Sequence, residues 1–335
     1  MRVLITGGTG FIGYHTALEL LDSGHEVRLL VRDRDKAARL YGEATPDCVK
    51  GDIADSTAMR KALQGCDALV HTAAMVSTDK KDADLVYRTN VEGTRNAIGQ
   101  GVERGLDKII HVSSVTAIFD RKARRLDENS PPGTAENAYG RSKVASEKYV
   151  RALQEKGAPV HVTYPASVIG PDDPGLTEPH AGLVAFLYMR AIMPGGNQYV
   201  DVRDLAWAHR QLLELDLDPG RYPLGGHFLS WPQLGRELQK LTGRYLPPVL
   251  VAGSAMRMLG RAIDAVQPVI NLEVPLSHEA SVYATQWVKM DSSKAERDLG
   301  LAFRPVDESL ADAIRWLLEA GHISARLAGR LADRA

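Results

Sequence analysis

Short apolar runs alternate with longer amphipathic stretches over the first half of the chain, and this alternation restricts the fold more than any other feature. The runs are rich in Val, Ile and Leu, and a stretch of helical pattern follows each of the first five. They are VLIT (3–6), VRLLV (27–31), CVKGDI (48–53), ALVHTAA (68–74), KIIHVSS (108–114) and VHVTYPAS (160–167). Such alternation is typical of a parallel sheet covered by helices on both faces. The sequence therefore predicts an α/β fold with a doubly wound parallel sheet over residues 1–170.

The pattern changes after about residue 170. Pro and Gly become frequent, and the helical segments no longer alternate regularly with strands. We expect residues 171–335 to form mainly a smaller substrate-binding subdomain, with segments near 197–228 returning to the first domain. The apolar and aromatic side chains of this region fit either a hydrophobic substrate or ordinary core packing. They include Phe186, Tyr188, Met189 and Trp207.

Composition argues against several classes of function. Lys and Arg total 41 against 42 for Asp and Glu, with no basic block to follow a phosphate backbone, so nucleic acid is not an expected partner. Cys48 and Cys66 form no C-x-x-C pair, which fits a reducing cytoplasm. The ten histidines are scattered, so no metal site is expected. The apolar stretches 181–193 and 246–263 contain arginines and fall short of the roughly 18 residues of a membrane span, so no membrane partner is expected.

The segment TGGTGFIG (6–13) joins the first predicted strand to the first predicted helix. Glycine adopts positive φ at low cost and lets a ligand approach the main chain. In this context Gly7, Gly10 and Gly13 fit the tight turn, the approach of a pyrophosphate and the close helix–strand packing of a dinucleotide site. The helix N-terminus would face the phosphates. A purely structural strand-to-helix turn is the alternative.

The end of the second predicted strand bears on which dinucleotide is bound. NAD binding favours an acidic residue there for the ribose hydroxyls, whereas this strand ends with Val31 and Arg32. Because arginine presents a fork of donors that matches a phosphate, Arg32 favours NADP over NAD. Asp33 follows directly, and a solvated surface arginine is the alternative. Asp52 is expected at the next strand end near the adenine, and the small residues of HTAA (71–74) would let a ribose or nicotinamide pass.

Tyr139 and Lys143 lie four residues apart in AYGRSK, so on a helix they share a face. A neighbouring ammonium favours the phenolate and would suit a tyrosine to acid–base work. Ser113 and Ser114 fall at the carboxyl end of a predicted parallel strand, where open α/β sheets place their ligands. A serine there can hydrogen-bond the substrate oxygen that the tyrosine protonates. A Tyr-x-x-x-Lys pair alone is also common on ordinary surface helices.

These motifs resemble, in order, those of the extended and atypical short-chain dehydrogenase/reductases, the NAD-dependent epimerase/dehydratase group with a Rossmann-type fold. The matching segments are TGGTGFIG, GDI, HTAA, NVEGTRN, HVSS, YGRSK, YPASVIGP and YVDVRDLA, which span essentially the whole chain. The most similar branch is that of the dihydroflavonol-4-reductase-like proteins, which overlaps with 3β-hydroxysteroid dehydrogenase-like proteins. Tyr164 and Pro165 stand where the nucleotide-sugar branch often has Arg-Pro, which weakens a nucleotide-sugar interpretation.

The resemblance implies a role for each matching residue. Tyr139 is expected to be the acid–base and Ser114 the catalytic serine, while Lys143 lowers the pKa of Tyr139 and holds the nicotinamide ribose. Asn90 would support the site from the neighbouring helix, or would be a helix-cap or turn asparagine. The expected cofactor contacts are Gly7, Thr9, Gly10, Phe11, Ile12, Gly13, Arg32, Asp52, Ile53, Ala73, Ala74, Tyr139, Lys143, Tyr164, Pro165 and Ser167.

The resulting expectation is an NADPH-dependent oxidoreductase that reduces a ketone or aldehyde of a hydrophobic small molecule, or oxidises the alcohol. One alternative is a sugar-nucleotide epimerase or dehydratase that retains NAD. Another is a non-catalytic NADP sensor. The resemblance also implies a homodimer through helices around 90–104 and 138–156.

Overall fold

The computed structural model of the chain describes residues 1–76, 80–245, 247–266 and 278–334. The predicted substrate-binding region 171–335 therefore includes Leu246, residues 267–277 and Ala335, which lie outside the described residues.

The main sheet is central to the fold. The strands are β1 Arg2–Thr6, β2 Glu26–Val31, β3 Asp47–Lys50, β4 Ala68–His71, β5 Lys108–Val112, β6 Val160–Pro165, β7 Ser167–Ile169, β8 Ala191–Ile192, β9 Gly196–Asp201, β10 Arg221–Leu224, β11 His227–Ser230 and β12 Val249–Leu250. Seven of them form one sheet in the order β10-β6-β5-β4-β1-β2-β3, and all its neighbours are parallel. The predicted doubly wound α/β fold is therefore confirmed.

Helices cover both faces of this sheet. They are α1 Phe11–Asp22, α2 Arg34–Tyr41, α3 Ser56–Ala62, α4 Ala83–Glu103, α5 Ala138–Gln154, α6 Glu178–Tyr188, α7 Val202–Glu214, α8 Trp231–Thr242, α9 Gly253–Val266, α10 His278–Thr285, α11 Ser293–Leu299, α12 Val306–Glu319 and α13 Ala325–Ala328. Helices α1, α2, α7 and α11 pack on one face, and α3, α4 and α5 on the other. Val3, Leu4 and Ile5 of β1 are fully buried for this reason, which explains why the strand is apolar throughout.

The strand order reverses between β1 and β4, so the chain leaves these two neighbours on opposite faces of the sheet. The carboxyl ends of β1 and β4 therefore open a crevice, which is where open α/β sheets bind their ligands. The loop of residues 7–10 lies at this crevice and leads directly into α1.

The later part of the chain forms a third apolar cluster and also contributes to the main sheet. Strand β10 extends the main sheet next to β6, while β11, β9 and β7 form a smaller sheet. Leucine and aromatic side chains of α6, α8 and α12 pack together in a separate core. No helix among the described residues is long and apolar enough to cross a membrane.

Two boundaries differ from the sequence-based expectation. Strand β3 ends at Lys50, so Gly51 to Ile53 lie outside the strand. The run 160–167 is interrupted at Ala166, where the chain passes from the main sheet to the smaller one.

Close packing at Gly13 gives the fold a testable requirement. A Cβ on Gly13 would lie 2.3 Å from the Gly7 carbonyl oxygen and 2.6 Å from Thr72 Oγ1. We expect Gly13→Ala to lower the free energy of unfolding by about 1–3 kcal/mol, the usual cost of overpacking. Denaturant unfolding would measure it. The control is Gly182→Ala on α6, where a Cβ meets no atom within 4 Å; equal stability of the two variants would contradict this packing.

Candidate active site

The glycine loop shapes the floor of the crevice. Gly7 has a φ of 78°, and a Cβ there would lie 2.5 Å from Thr72 Oγ1 in the segment after β4. Gly10 differs, because it is exposed and an added Cβ would approach only the Gly7 carbonyl oxygen, at 3.4 Å. The fold therefore has room for a side chain at Gly10, and glycine there leaves the crevice open for a ligand.

The start of α1 fits the phosphates of a dinucleotide. No side chain within the described residues caps this helix, so its first N–H groups and its positive end face the crevice. Thr9 and Ile12 are partly buried beside them. The Phe11 ring is buried against the rings of His15 and His180, at 5.4 and 5.2 Å between centroids. The side chain of Phe11 thus faces the interior, whereas its main chain borders the crevice.

Arg32 lies exposed at the carboxyl end of β2. No hydrogen bond or ion pair within the described part of the chain holds its guanidinium. Asp33 caps α2, because its Oδ1 accepts the N–H groups of Asp35 at 2.9 Å and Lys36 at 3.0 Å. These bonds lower the pKa of Asp33. The nearest acidic residue is therefore engaged in a helix cap, while the arginine is free to meet a ligand.

The other predicted adenine and ribose contacts lie along the same edge of the sheet. Asp52 Oδ1 accepts the Ala54 N–H at 2.9 Å in the turn after β3. The Ile53 carbonyl accepts a hydrogen bond from Asn96 on α4 at 2.6 Å. After β4, Ala73 is partly buried and Ala74 is exposed.

Tyr139, Lys143 and Ser114 come together at the end of β5. Helix α5 begins after Asn137, whose side chain accepts the Gly140 N–H at 2.6 Å. Tyr139 in the first turn is partly exposed, whereas Lys143 is buried with its Nζ 5.8 Å from the centre of the Tyr139 ring. The ammonium also lies 3.4 Å from the Val112 carbonyl oxygen of β5.

Burial sets the protonation states of this group. It raises the pKa of Tyr139 to about 12, against which a hydrogen bond with Ser114 acts. Burial also lowers the pKa of Lys143 to about 8, while the charge of Glu147 raises it. The expectation that Lys143 brings the pKa of Tyr139 below its ordinary value is therefore wrong for the protein alone, because desolvation is the largest effect on that pKa and raises it. At neutral pH Tyr139 is a protonated phenol that can donate a proton.

The two serines after β5 are directed differently. Ser113 is buried, and its hydroxyl donates to Glu147 Oε2 at 3.0 Å. Ser114 is partly exposed, and its Oγ accepts the Thr116 N–H at 3.2 Å. Its hydroxyl also donates to Thr116 Oγ1 at 3.0 Å, so Ser114 has a partner within its own turn in addition to its effect on Tyr139.

Asn90 is buried in the middle of α4 and joins two parts of the site. Its side chain accepts the Met75 N–H at 2.7 Å and donates to the Met75 carbonyl at 3.0 Å and to Ser142 Oγ at 2.9 Å. Asn90 therefore fixes the segment after β4 to the Tyr–Lys helix. It is not a helix cap.

The structure corrects the cofactor contacts predicted beyond α5. Tyr164 is fully buried and its hydroxyl donates to Glu147 at 2.5 Å, because α5 covers this face of β6. Its side chain therefore cannot reach a cofactor, and that prediction was wrong. Pro165 is buried in the same strand. Ser167 is partly buried, and its hydroxyl bonds the Asn197 amide oxygen at 3.0 Å.

Two carboxylates near the site were missed from the sequence. Glu147 lies four residues after Lys143, a spacing that usually indicates a surface ion pair. Glu178 begins α6, and its charge raises the pKa of Tyr139. Desolvation raises the pKa of Glu178 itself. No sequence pattern distinguishes Glu178 from an acidic residue in the first turn of any helix. Across the described ranges, no group of three or more His, Cys, Asp or Glu side chains is arranged to hold a metal.

Comparison with known proteins gives a consistent assignment. The sequence profile of the NAD dependent epimerase/dehydratase family matches residues 3–225. A protein of Synechocystis sp., provisionally named dihydroflavonol 4-reductase, is 30% identical over 330 residues, which cover 95% of each chain. Sterol demethylase protein B of Methylococcus capsulatus is 30% identical over 332 residues, covering 96% of this chain and all of the relative.

A solved structure extends the likeness to three dimensions. The crystal structure of gox2253 is similar with a TM-score of 0.82 at 30% identity, and the match covers 96% of this chain and 99% of that one. The chain therefore belongs to the NAD-dependent epimerase/dehydratase family of extended short-chain dehydrogenase/reductases and is an NAD(P)-dependent enzyme of that family.

Proposed function

We propose that this enzyme is an NADPH-dependent reductase that converts a ketone or aldehyde of a small, largely hydrophobic molecule to the alcohol. The observation that carries the proposal is the grouping of Tyr139 with the buried Lys143, whose Nζ lies 5.8 Å from the centre of the phenol ring, beside Ser114 at the sheet edge that also holds the glycine loop. The relative named as a dihydroflavonol 4-reductase supports reduction of a carbonyl.

Each residue has a defined part in the proposed reaction. The dinucleotide, when bound, supplies the hydride for the carbonyl carbon. Ser114 donates a hydrogen bond to the substrate oxygen, which polarises the carbonyl, and Tyr139 gives its proton to that oxygen. Lys143 binds the nicotinamide ribose and favours the phenolate that remains, since an adjacent positive charge stabilises it. Asn90 positions the segment that borders the nicotinamide.

The preference for NADP is supported by the two residues after β2. Arg32 is unpaired and exposed within the described chain, while Asp33 is engaged as a helix cap. A guanidinium matches the geometry of a ribose 2′-phosphate. We therefore propose that Arg32 binds this phosphate and that Gly10, with the first N–H groups of α1, receives the pyrophosphate. Thr9, Ile12, Asp52, Ile53, Ala73 and Ala74 complete the proposed cofactor contacts.

The substrate side of the proposal is supported by the surfaces near α6. Phe186 is buried and stacks on Trp231 at 5.8 Å between ring centres, so it belongs to the core. Tyr188 and Met189 are 65% and 57% exposed, which makes them the available apolar side chains at the end of this helix. The charge of Glu178 raises the pKa of Tyr139, so we propose its carboxylate as an acceptor of a hydrogen bond from a substrate hydroxyl.

We further propose a cytoplasmic homodimer. Helices α4 and α5 pack side by side, with the guanidinium of Arg95 5.8 Å from the centre of the Tyr149 ring. Leu85 and Tyr87 at the start of α4 are 46% and 43% exposed. These apolar side chains support an interface through the two helices, and the free cysteines fit a reducing compartment.

The role of Gly10 can be tested separately from folding. Gly10→Ala adds a methyl group where a cofactor would approach the main chain, so we expect NADPH affinity to fall at least about tenfold, through loss of close contact with the pyrophosphate. The melting temperature should stay within the error of the wild type, since the added Cβ meets only one atom within 4 Å. Fluorescence titration with NADPH measures the affinity. Unchanged affinity would exclude Gly10 from the site.

Replacement of Arg32 tests the choice between dinucleotides. Arg32→Ala is expected to weaken NADPH binding by about 10- to 100-fold, corresponding to the loss of charge-assisted hydrogen bonds worth about 1.5–3 kcal/mol. NADH binding should change little, because NADH lacks the 2′-phosphate. Arg60→Ala, which removes an exposed arginine on α3, serves as the control. A wild type that binds both dinucleotides equally, or that retains NAD through purification, would favour the epimerase or dehydratase alternative.

Replacement of Tyr139 tests catalysis. Tyr139→Phe removes the proton donor and is expected to lower the turnover of a reducible carbonyl compound by about 10²- to 10⁴-fold. NADPH affinity should fall no more than about threefold, because the ring remains in place. Tyr245→Phe, at a tyrosine that is 70% exposed, is the control. Full turnover by the Tyr139 variant would contradict the mechanism, and a wild type with no turnover would support the sensor alternative.

A further inference from the structure

Glu147 is a fully buried carboxylate one helical turn beyond Lys143 on α5. Burial of a charged carboxylate is costly unless hydrogen bonds and an opposite charge compensate it. Glu147 has both: Oε1 accepts the Arg151 Nε–H at 2.6 Å and the Tyr164 hydroxyl at 2.5 Å, and Oε2 accepts the Ser113 hydroxyl at 3.0 Å. Glu147 takes no direct part in the proposed reaction.

The Ser113 bond connects Glu147 to the reacting residues. Ser113 directly precedes Ser114, so its bond to Glu147 fixes the end of β5 against α5. Tyr139 lies two turns before Glu147 on the same helix. The relative position of Ser114 and Tyr139 therefore depends on the hydrogen bond between Ser113 and Glu147.

Arg151 and Tyr164 hold the carboxylate from the other side. The Arg151 guanidinium donates to the Tyr164 hydroxyl oxygen at 3.1 Å and to the Ser130 carbonyl at 2.9 Å. The network thus joins α5 to β5, to β6 and to the loop before α5. With three anchors, the carboxylate cannot shift without breaking several buried hydrogen bonds, which suits it to hold a neighbour in place.

Glu147 also acts on Lys143 by its charge. The imidazole rings of His71 and His111 and the phenol of Tyr139 lie around the ammonium, and burial lowers the pKa of both histidines, so they are neutral at physiological pH. Glu147 is the neighbour, within the described residues, whose charge favours the ammonium form of Lys143.

We propose that Glu147 is a positioning residue for the reductase reaction: through Ser113 it holds Ser114 at the reach of Tyr139, and through its charge it keeps Lys143 an ammonium. This inference rests on the proposed function. Under this proposal Glu147 affects the reaction itself, and this effect is separate from its contribution to the stability of the fold.

The hydrogen-bonding part is tested with Ser113→Ala. This variant removes the hydrogen bond to Glu147 and leaves the carboxylate with its Arg151 and Tyr164 partners, so the fold should persist. We expect turnover to fall about tenfold, because small displacements of reacting groups lower the rate strongly. NADPH affinity should be unchanged. Turnover within twofold of the wild type would overturn this part.

The electrostatic part is tested with Glu147→Gln through a pH profile. A group that acts as an ammonium supports activity below its pKa and loses it as pH rises through that pKa. Activity of the wild type should therefore decline as pH rises through about 8, the pKa of Lys143. Without the charge of Glu147 that pKa falls, so the decline in kcat/KM at saturating NADPH should move to lower pH by about one unit.

A matched control separates this effect from lost stability. Asp204 is a buried carboxylate of α7 that pairs with Arg304, and Asp204→Asn also removes the charge of a buried ion pair. Both variants are expected to melt at lower temperature, but Asp204→Asn should keep the wild-type pH profile. An unshifted profile in Glu147→Gln, with a similar loss in melting temperature, would show that Glu147 is only structural.

A second readout keeps the inference independent of turnover. If Lys143 binds the nicotinamide ribose as an ammonium, NADPH affinity should also weaken as pH rises, and at a lower pH in Glu147→Gln. A wild type that binds NADPH but reduces no carbonyl compound would refute the proposed function. The pH profile of NADPH binding would still test the role of Glu147. An unshifted binding profile in Glu147→Gln would overturn the inference.

Discussion

The close approach of the glycine loop to the segment after β4 is the constraint on which the rest of the structure depends. Gly7 and Gly13 bring the loop and the start of α1 against Thr72 at distances that no side chain would permit. This contact sets where α1 points and keeps the carboxyl ends of β1 and β4 open between the two halves of the sheet. The residues of α5 and β5 then border the same crevice, because the parallel sheet places all its strand ends on one edge.

Burial, more than the pairing of charges, determines the chemistry available at this edge. Desolvation keeps Tyr139 a neutral phenol and lowers the pKa of Lys143 to about 8, close to physiological pH. A protonated phenol beside a serine suits the delivery of a proton to a carbonyl oxygen. The positive charge of Lys143 would matter most after that proton has left, because it stabilises the phenolate that remains.

The fold and the glycine loop could be predicted from the sequence because they depend on local pattern: apolar runs of strand length, and glycines between a strand and a helix. The environment of each side chain could not. Tyr164 lies near the carboxyl end of β6, as a cofactor contact would, yet α5 covers it, and Glu147 has the spacing of a surface pair, yet it is buried. The family resemblance favours Ser114 over Ser113, but the bond between Ser113 and Glu147 appears only in the structure. These properties arise from packing between elements distant in the chain.

Transfer of a hydride from NADPH to an external carbonyl compound is the reaction that we propose for this enzyme. The most direct measurement uses NADPH that carries deuterium at the transferable position, incubated with the enzyme and a panel of hydrophobic ketones and aldehydes, followed by mass spectrometry of the alcohols. We expect one deuterium on the carbinol carbon of the product and an equal amount of NADP. A product that is isomerised or dehydrated with no net oxidation of NADPH, formed by protein that retains NAD, would contradict it.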